Sequence, residues 1–204
     1  GFGAAWTQET EDASAPRFAV SMNYTSKDGA SSSKGMSNDA SRSFLLTKVE
    51  YGSPRWQVSA AMAKKSSPTT SANGYDGYFH SADAKATKGD LTAYGLRAYW
   101  KPETTGAIPA VQLGYDFGTY DEAVTDEAED ISGWMIGLGW KDVFIDGNSA
   151  GVAVGSRLSA SGYKNNTTKE DVSEDNQVWE AYYTFKVNDG VSVTPAIFGG
   201  SDVE

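Results

Sequence analysis

The sequence predicts an all-β chain that folds as an antiparallel transmembrane β-barrel, and three observations predict this class. Apolar and polar residues alternate along about nine stretches, which is the period of a strand with one apolar face. The links between the stretches are short and long in turn, as in membrane barrels with tight turns at one end and long loops at the other. Aromatic residues gather near the ends of the stretches, where such barrels carry interfacial girdles.

The composition fits one domain whose strands, rather than helices, would cross a membrane. The chain has 204 residues, enough for a sizeable core, and we expect no second domain within them. Only 39% of the residues are hydrophobic and the mean hydropathy is -0.46, so no stretch approaches the ~20 apolar residues of a membrane helix. Membrane strands escape this criterion because only every second side chain faces lipid.

Charge and reactive side chains argue against several functions. The net charge of -10 argues against a nucleic-acid partner, because binding phosphate needs a basic surface. Cysteine is absent, which excludes disulfides, thiol catalysis and cysteine metal sites. The single histidine, His80, has no obvious partners, and a carboxylate pair such as Asp116 with Glu180 has no readable spacing. We therefore predict no enzyme activity, no metal and no cofactor.

The first five predicted strands follow the alternation in chain order. In the first, Phe18, Val20, Met22 and Tyr24 alternate with small or polar residues. The second is blurred by apolar residues on both faces, and the third follows a short Gly-Ser-Pro link. These five strands are predicted at residues 18–25, 43–51, 55–62, 91–100 and 111–118.

The last four predicted strands carry glycine or small residues opposite their apolar side. The sixth strand sets Trp134, Ile136, Leu138 and Trp140 against three glycines and Met135. The seventh places valines opposite alanine and glycine, and the eighth is the most aromatic. These four strands are predicted at residues 133–140, 152–159, 179–187 and 191–197.

The long links are rich in small polar residues and leave two functional alternatives open. They are predicted at residues 27–42, 65–90, 120–130 and 161–177. The acidic runs 121–130 and 169–175 fit solvated loop surface, or a vestibule that concentrates cations. The aromatic segment 74–80 fits an ordinary external loop, or a loop that folds inwards and constricts a pore.

The two faces of the strands supply the candidate functional residues. Aromatic side chains near strand ends are predicted to form interfacial girdles, at Tyr24, Tyr51, Trp56, Trp100, Phe117, Trp134, Trp140 and Trp179. The opposite face is small or polar, and in a membrane barrel such a face lines a water-filled lumen. Charged lumen side chains set ion preference. The pore-lining candidates are Lys48, Arg97, Gln112, Asp116, Arg157, Glu180 and Lys186.

Several segments resemble one family of membrane proteins. The segments 96–103 (LRAYWKPE), 134–140, 147–155, 179–187 (WEAYYTFKV) and 191–198 are similar to the C-terminal part of cyanobacterial outer-membrane porins. These porins form the branch related to carbohydrate-selective porins of the OprB type. The resemblance covers roughly residues 91–198.

The resemblance implies a large, commonly trimeric barrel that lets ions and small solutes diffuse across an outer membrane. Its surroundings would be outer-membrane lipid and lipopolysaccharide. It also implies an N-terminal surface-layer-homology domain, which residues 1–204 do not include. Open porins need about 16 strands or more, whereas about nine or ten are visible here. We therefore expect a partial transmembrane barrel, mainly its C-terminal half.

Two other interpretations fit the same alternation. One is a complete small barrel of about eight to ten strands, with a filled interior and a structural or adhesion role. The other is a soluble β-sandwich that binds carbohydrate through exposed aromatic residues, since one polar face per strand is also typical of soluble sheets.

Overall fold

The computed structural model describes residues 1–27, 29–33, 35–36, 41–66, 89–165 and 176–201. These residues form one antiparallel sheet of twelve strands, and the described chain contains no helix, hence none long and apolar enough to cross a membrane. The predicted all-β antiparallel class is confirmed. The strands are β1 Phe2–Thr7, β2 Arg17–Ser26, β3 Ser43–Ser53, β4 Trp56–Lys65, β5 Leu91–Trp100, β6 Ala110–Tyr120, β7 Ala128–Lys141, β8 Ser149–Ser156, β9 Ser159–Tyr163, β10 Gln177–Asn188, β11 Val191–Val193 and β12 Ala196–Gly200.

The twelve strands occupy ten positions in a meander, in which each strand pairs with its neighbour along the chain. β8 and β9 share one position because both pair with β7, and the break between them falls at Arg157 and Leu158. β11 and β12 share the last position beside β10. Their break falls at Thr194 and Pro195, since proline has no N–H to give to a ladder.

The sheet is not closed into a barrel, so the predicted closure is not present in the described residues. β1 lies at one edge and β11 with β12 at the other, and each edge position pairs on one side only. Ten positions are fewer than the about 16 strands that surround an open lumen. A ten-position sheet with the curvature of such a large barrel would cover only part of its circumference, so its two edges would stay apart.

The structure differs from the sequence-based prediction by one unpredicted strand, by an earlier start of β7, and by the breaks that divide the predicted strands 152–159 and 191–197. β1 was missed because its sequence FGAAWT offers little alternation, yet it pairs with β2 along its whole length. β7 begins at Ala128, so the predicted long link 120–130 was wrong and the link is 121–127. The acidic residues there have partners in the sheet: the Thr119 hydroxyl donates to Asp130 (2.8 Å), and Lys164 pairs with Glu129.

The links define two ends of the sheet. The short-link end carries links 8–16, 54–55, 101–109, 142–148 and 189–190. The long-link end carries links 27–42, 66–90, 121–127 and 164–176. The predicted alternation of link lengths therefore holds except at 121–127. The predicted constriction segment 74–80, His80 and the acidic run 169–175 lie outside the described residues.

The strands lean steadily in one direction across the sheet. One ladder of directly paired residues crosses all ten positions: Thr7, Ala19, Glu50, Ser59, Arg97, Gly114, Met135, Gly155, Val178 and Gly200. Thr7 ends β1 at the short-link end, whereas Gly200 lies nine residues beyond Val191, the first residue of β11 at that end. The ladder climbs about one residue per strand, which corresponds to a lean of roughly 35° for strand spacings of ~4.8 Å and ~3.3 Å per residue.

Buried apolar side chains collect at the long-link end. Leu91, Tyr120 and Ile131 are almost fully buried, and Ala123 of link 121–127 packs with them. The register places Leu91 and Ile131 on the same face as Arg97, because direct partners across a ladder point to the same side. The described chain therefore has its core at one end of the sheet, and the middle of the sheet has none.

Candidate functional site: the two faces of the sheet

One face of the sheet, called the apolar face below, carries large apolar side chains that the protein leaves exposed. Direct pairing aligns them on one side across all ten positions, as in the row Val20, Val49, Ala60, Leu96 and Tyr115. Each of the larger ones is between 36% and 64% exposed, so no described part of the chain covers them. They are Phe2, Trp6, Phe18, Val20, Met22, Val49, Tyr51, Val58, Tyr94, Leu96, Trp100, Leu113, Tyr115, Phe117, Trp134, Ile136, Val152, Val154, Trp179, Phe185, Val193 and Ile197.

Aromatic side chains of the apolar face form two rows, one near each end of the strands. Within single strands the rows are six residues apart, as for Tyr94 and Trp100 or Trp134 and Trp140. Six residues span about 20 Å along a strand, and the residues between the rows are mostly aliphatic. Neighbouring rings touch across strands, with centroids 5.3 Å apart for Tyr94 and Phe117.

All eight predicted girdle residues lie on the apolar face. Four of them stand in the row at the short-link end: Tyr51, Trp56, Trp100 and Trp140. The other four stand towards the long-link end: Tyr24, Phe117, Trp134 and Trp179. The two aromatic rows have six further members that were not among the predicted girdle residues: Phe2, Trp6, Phe18, Tyr94, Tyr183 and Phe185. The six-residue spacing within a strand could have identified some of them.

The opposite face, called the polar face below, holds six of the seven pore-lining candidates. The strand register puts these six on the side away from the apolar rows: Lys48, Arg97, Gln112, Asp116, Glu180 and Lys186. Arg157 is the exception, because it lies in the break between β8 and β9 and is half-buried there. Its backbone N–H donates to the carbonyl of Asn176 at 2.8 Å.

An ion pair lies in the middle of the polar face. The Nη2 of Arg97 is 2.7 Å from the Oδ2 of Asp116, and its Nη1 donates to the carbonyls of Leu96 (2.8 Å) and Tyr115 (3.3 Å). The two side chains are 46% and 43% exposed, so water reaches both. The guanidinium is therefore held against the backbone of β5 and β6.

A second group of charges lies two strands away. Lys48 Nζ is 2.6 Å from the Oε1 of Glu50, which also accepts a hydrogen bond from the Gln57 side-chain amide at 2.5 Å. Beside Arg97 is a shallow depression of about 230 Å³, whose polar lining is Gln57, Ser59, Arg97, Tyr99 and Gln112. On β3 to β6, the sequence-based candidates include Lys48, Arg97, Gln112 and Asp116 but not Glu50, Gln57 and Tyr99.

On β7 and β8 the polar face is nearly uncharged, and apart from Met135 its side chains are mostly small. Gly137, Gly139, Gly151 and Gly155 lie there in direct or alternate register. The ring of Tyr182 on β10 lies over Gly151, where a Cβ would come within 2.4 Å of the ring. The polar face therefore divides into a charged half on β3 to β6 and a glycine-rich half beyond it.

The short-link end adds charged groups at the rim of the sheet. Lys186 pairs with Asp189 at 2.8 Å, and Arg55 pairs with Glu103. Asp142 accepts a hydrogen bond from the Gly147 backbone N–H at 2.8 Å. This bond, a second one from the Thr105 side chain and the nearby charge of Lys141 hold the pKa of the exposed Asp142 carboxyl below its usual value.

Neither face resembles a reaction centre in the described part of the chain. Three or more histidine or acidic side chains do not come together as a possible metal site anywhere in the described ranges. Comparison with known proteins gives no assignment, since no family model, no curated protein and no solved structure matches this chain.

Proposed function

We propose that this chain forms part of the wall of an outer-membrane porin, through which ions and small hydrophilic solutes diffuse passively. The observation that carries the proposal is the apolar face, with large side chains that the protein does not cover and aromatic rows at both margins. Soluble proteins rarely expose an apolar patch beyond a few hundred Å². Lipid would cover this face, and the aromatic rows would lie at the two membrane interfaces.

The polar face would line the water-filled interior. Apart from a few exposed apolar side chains such as Met135 and Phe198, its side chains are small, hydrogen-bonding or paired in ion pairs. Both partners of the Arg97–Asp116 pair are accessible to water. In the middle of the face, water and hydrated ions would pass charges that are closed in two ion pairs. Passage down a gradient needs no cofactor and no catalytic group, so on this proposal the chain is not an enzyme.

The lean of the strands supports a barrel. A lean of roughly 35° is close to the about 35–45° tilt of strands in closed barrels. In lipid the backbone groups at both sheet edges must find hydrogen-bond partners. The proposal therefore requires further strands beside β1 and beside β11 and β12, which agrees with a partial barrel of a larger porin. Assembly as a homotrimer in contact with lipopolysaccharide rests on the family resemblance alone.

A barrel with a filled interior is the second candidate, and one observation favours it. The buried cluster of Leu91, Tyr120, Ala123 and Ile131 sits on the polar face at the long-link end. If such packing continued around the barrel, the interior would be plugged and the protein would have a structural or adhesion role.

Single-channel recording separates the two candidates. The full protein is inserted into a planar lipid bilayer in potassium chloride, and insertion is verified by protection of its strands from added protease. We expect stable conductance steps for a porin. Verified insertion without steps would overturn the porin proposal and favour the plugged barrel.

A further inference from the structure

The ion pair between Arg97 and Asp116 lies flat along the wall of the sheet because each of its residues faces a glycine. Arg97 is the direct partner of Gly114 on the neighbouring strand, and Asp116 is the direct partner of Gly95. The charged side chains meet on the diagonal of this square, with 2.7 Å between Nη2 and Oδ2. Side chains at either glycine position would occupy the space that the pair uses.

The space above the two glycines is already filled, at Gly95 by Asp116 and at Gly114 by Met135 and Arg97. A Cβ at position 95 would lie 2.8 Å from the Oδ1 of Asp116, and one at position 114 would lie 2.7 Å from the Cγ of Met135 and 3.2 Å from both Cδ and Nε of Arg97. Contacts this close force the neighbour to move. Alanine at position 95 would therefore push the Asp116 carboxylate away from the wall, whereas alanine at position 114 would displace Met135 and shift Arg97 slightly.

The pair is also balanced in charge. Lys48 and Glu50 form the neighbouring ion pair, at 2.6 Å, so the middle of the charged half holds two pairs, each with one cation and one anion. An ion that passes a closed pair meets a dipole, whose field falls off faster than that of a single charge. Removal of one partner would leave a single charge, half exposed and midway along the strands.

We propose that Arg97 and Asp116 act as a balanced pair that keeps the channel weakly selective between anions and cations, with Gly95 and Gly114 as positioning residues that keep the pair flat. This inference rests on the proposed porin function. The geometry assigns the sign of each perturbation: loss of Asp116 leaves a cation and favours anions, and loss of Arg97 leaves an anion and favours cations.

The test measures reversal potentials of the full protein in planar bilayers across a tenfold potassium chloride gradient. We expect Asp116→Asn to raise the chloride-to-potassium permeability ratio roughly threefold and Arg97→Gln to lower it roughly threefold. The double variant Arg97→Gln with Asp116→Asn should return close to the wild-type ratio. The double variant leaves no uncompensated charge, so we expect it to fold at least as well as the single variants.

Two further variants separate this role from a general loss of charge. Arg55→Gln removes a guanidinium from the link 54–55 at the rim, and we expect an unchanged permeability ratio, because salt screens charges beyond about 10 Å. Gly95→Ala retains all charges and crowds only Asp116 and Arg97, and we expect a lower single-channel conductance from the raised pair.

The outcomes distinguish the inference from the proposed function. Wild-type channels with unchanged permeability ratios in Asp116→Asn and Arg97→Gln would overturn the inference and leave the porin intact. A double variant shifted as far as either single variant would also overturn it. Verified insertion of the wild-type protein without conductance would overturn the porin proposal and, with it, this inference.

Discussion

The two faces of the sheet differ in which side chains they carry and in what covers them. The apolar face presents rows such as Val49, Leu96 and Ile136 without any described cover. The polar face presents glycines and closed ion pairs, and at the long-link end it also holds the buried cluster around Tyr120. The face that would be the core of a soluble sheet is thus the uncovered one in the described residues, and on the proposed function lipid covers it.

The largest expected difference comes from placing one charge on each face of a single strand. Leu113 and Gln112 are neighbours on β6, point to opposite faces and are both exposed. We expect Leu113→Arg to lower the free energy of unfolding from lipid vesicles by about 2–4 kcal/mol, because the guanidinium would enter the hydrocarbon layer. Guanidinium chloride titration of the full protein in vesicles measures this.

Gln112→Arg is the matched control, since it adds the same charge one residue away on the polar face. It should change the free energy of unfolding by less than about 1 kcal/mol. An equal loss of unfolding free energy in the two variants would mean that both faces meet the same solvent, and it would contradict the proposed contact of the apolar face with lipid.

A smaller effect sharpens the contrast within the polar face. Gly151 lies under the ring of Tyr182, whereas at its direct partner Gly139 a Cβ would meet only a backbone oxygen, 4.0 Å away. We expect Gly151→Ala to lower the free energy of unfolding by about 1 kcal/mol through overpacking. Gly139→Ala should be neutral or stabilising by about 0.5 kcal/mol. Equal effects would show that the ring does not rest on Gly151.

The smallest effect concerns the rim, which belongs to neither face. Because hydrogen bonds lower the pKa of Asp142 in the folded state, its contribution is present above the unfolded pKa of about 4 and is lost as the pH falls through the folded value. We expect the hydrogen-exchange protection of the Gly147 amide to fall as the pH falls below about 4.

Two variants of the same turn check that assignment. Asp142→Asn should remove the pH dependence of the Gly147 protection, whereas Asp146→Asn, which removes a carboxylate from the same turn, should retain it. Protection that falls equally in all three proteins would point to a general effect of acid on the sheet.

The faces of the strands could be read from the sequence, whereas the register between strands could not. Alternation with period two assigns Leu96 and Arg97 to opposite sides without information from any other strand. It does not say that Arg97 stands opposite Gly114, because the pairing depends on where each link ends. The pairing of Arg97 with Gly114 and of Asp116 with Gly95 could therefore not be predicted from the sequence.

The missed features are those in which local pattern and tertiary pairing disagree. Phe2 and Trp6 are the only large apolar residues of β1, which becomes a strand because β2 supplies its partners. Arg157 was placed on the polar face by parity, but the break after β8 removes it from the ladder. Glu129 and Asp130 were read as part of a loop, because their partners Lys164 and Thr119 are distant along the chain.

Tryptophan fluorescence tests the central claim most directly, because all six tryptophans lie on the apolar face: Trp6, Trp56, Trp100, Trp134, Trp140 and Trp179. The full protein is reconstituted into phosphatidylcholine vesicles with or without brominated acyl chains, and iodide is added to the water. Contact of the apolar face with lipid predicts strong quenching by bromine and weak quenching by iodide. Strong quenching by iodide, with no effect of the brominated lipid, would contradict it.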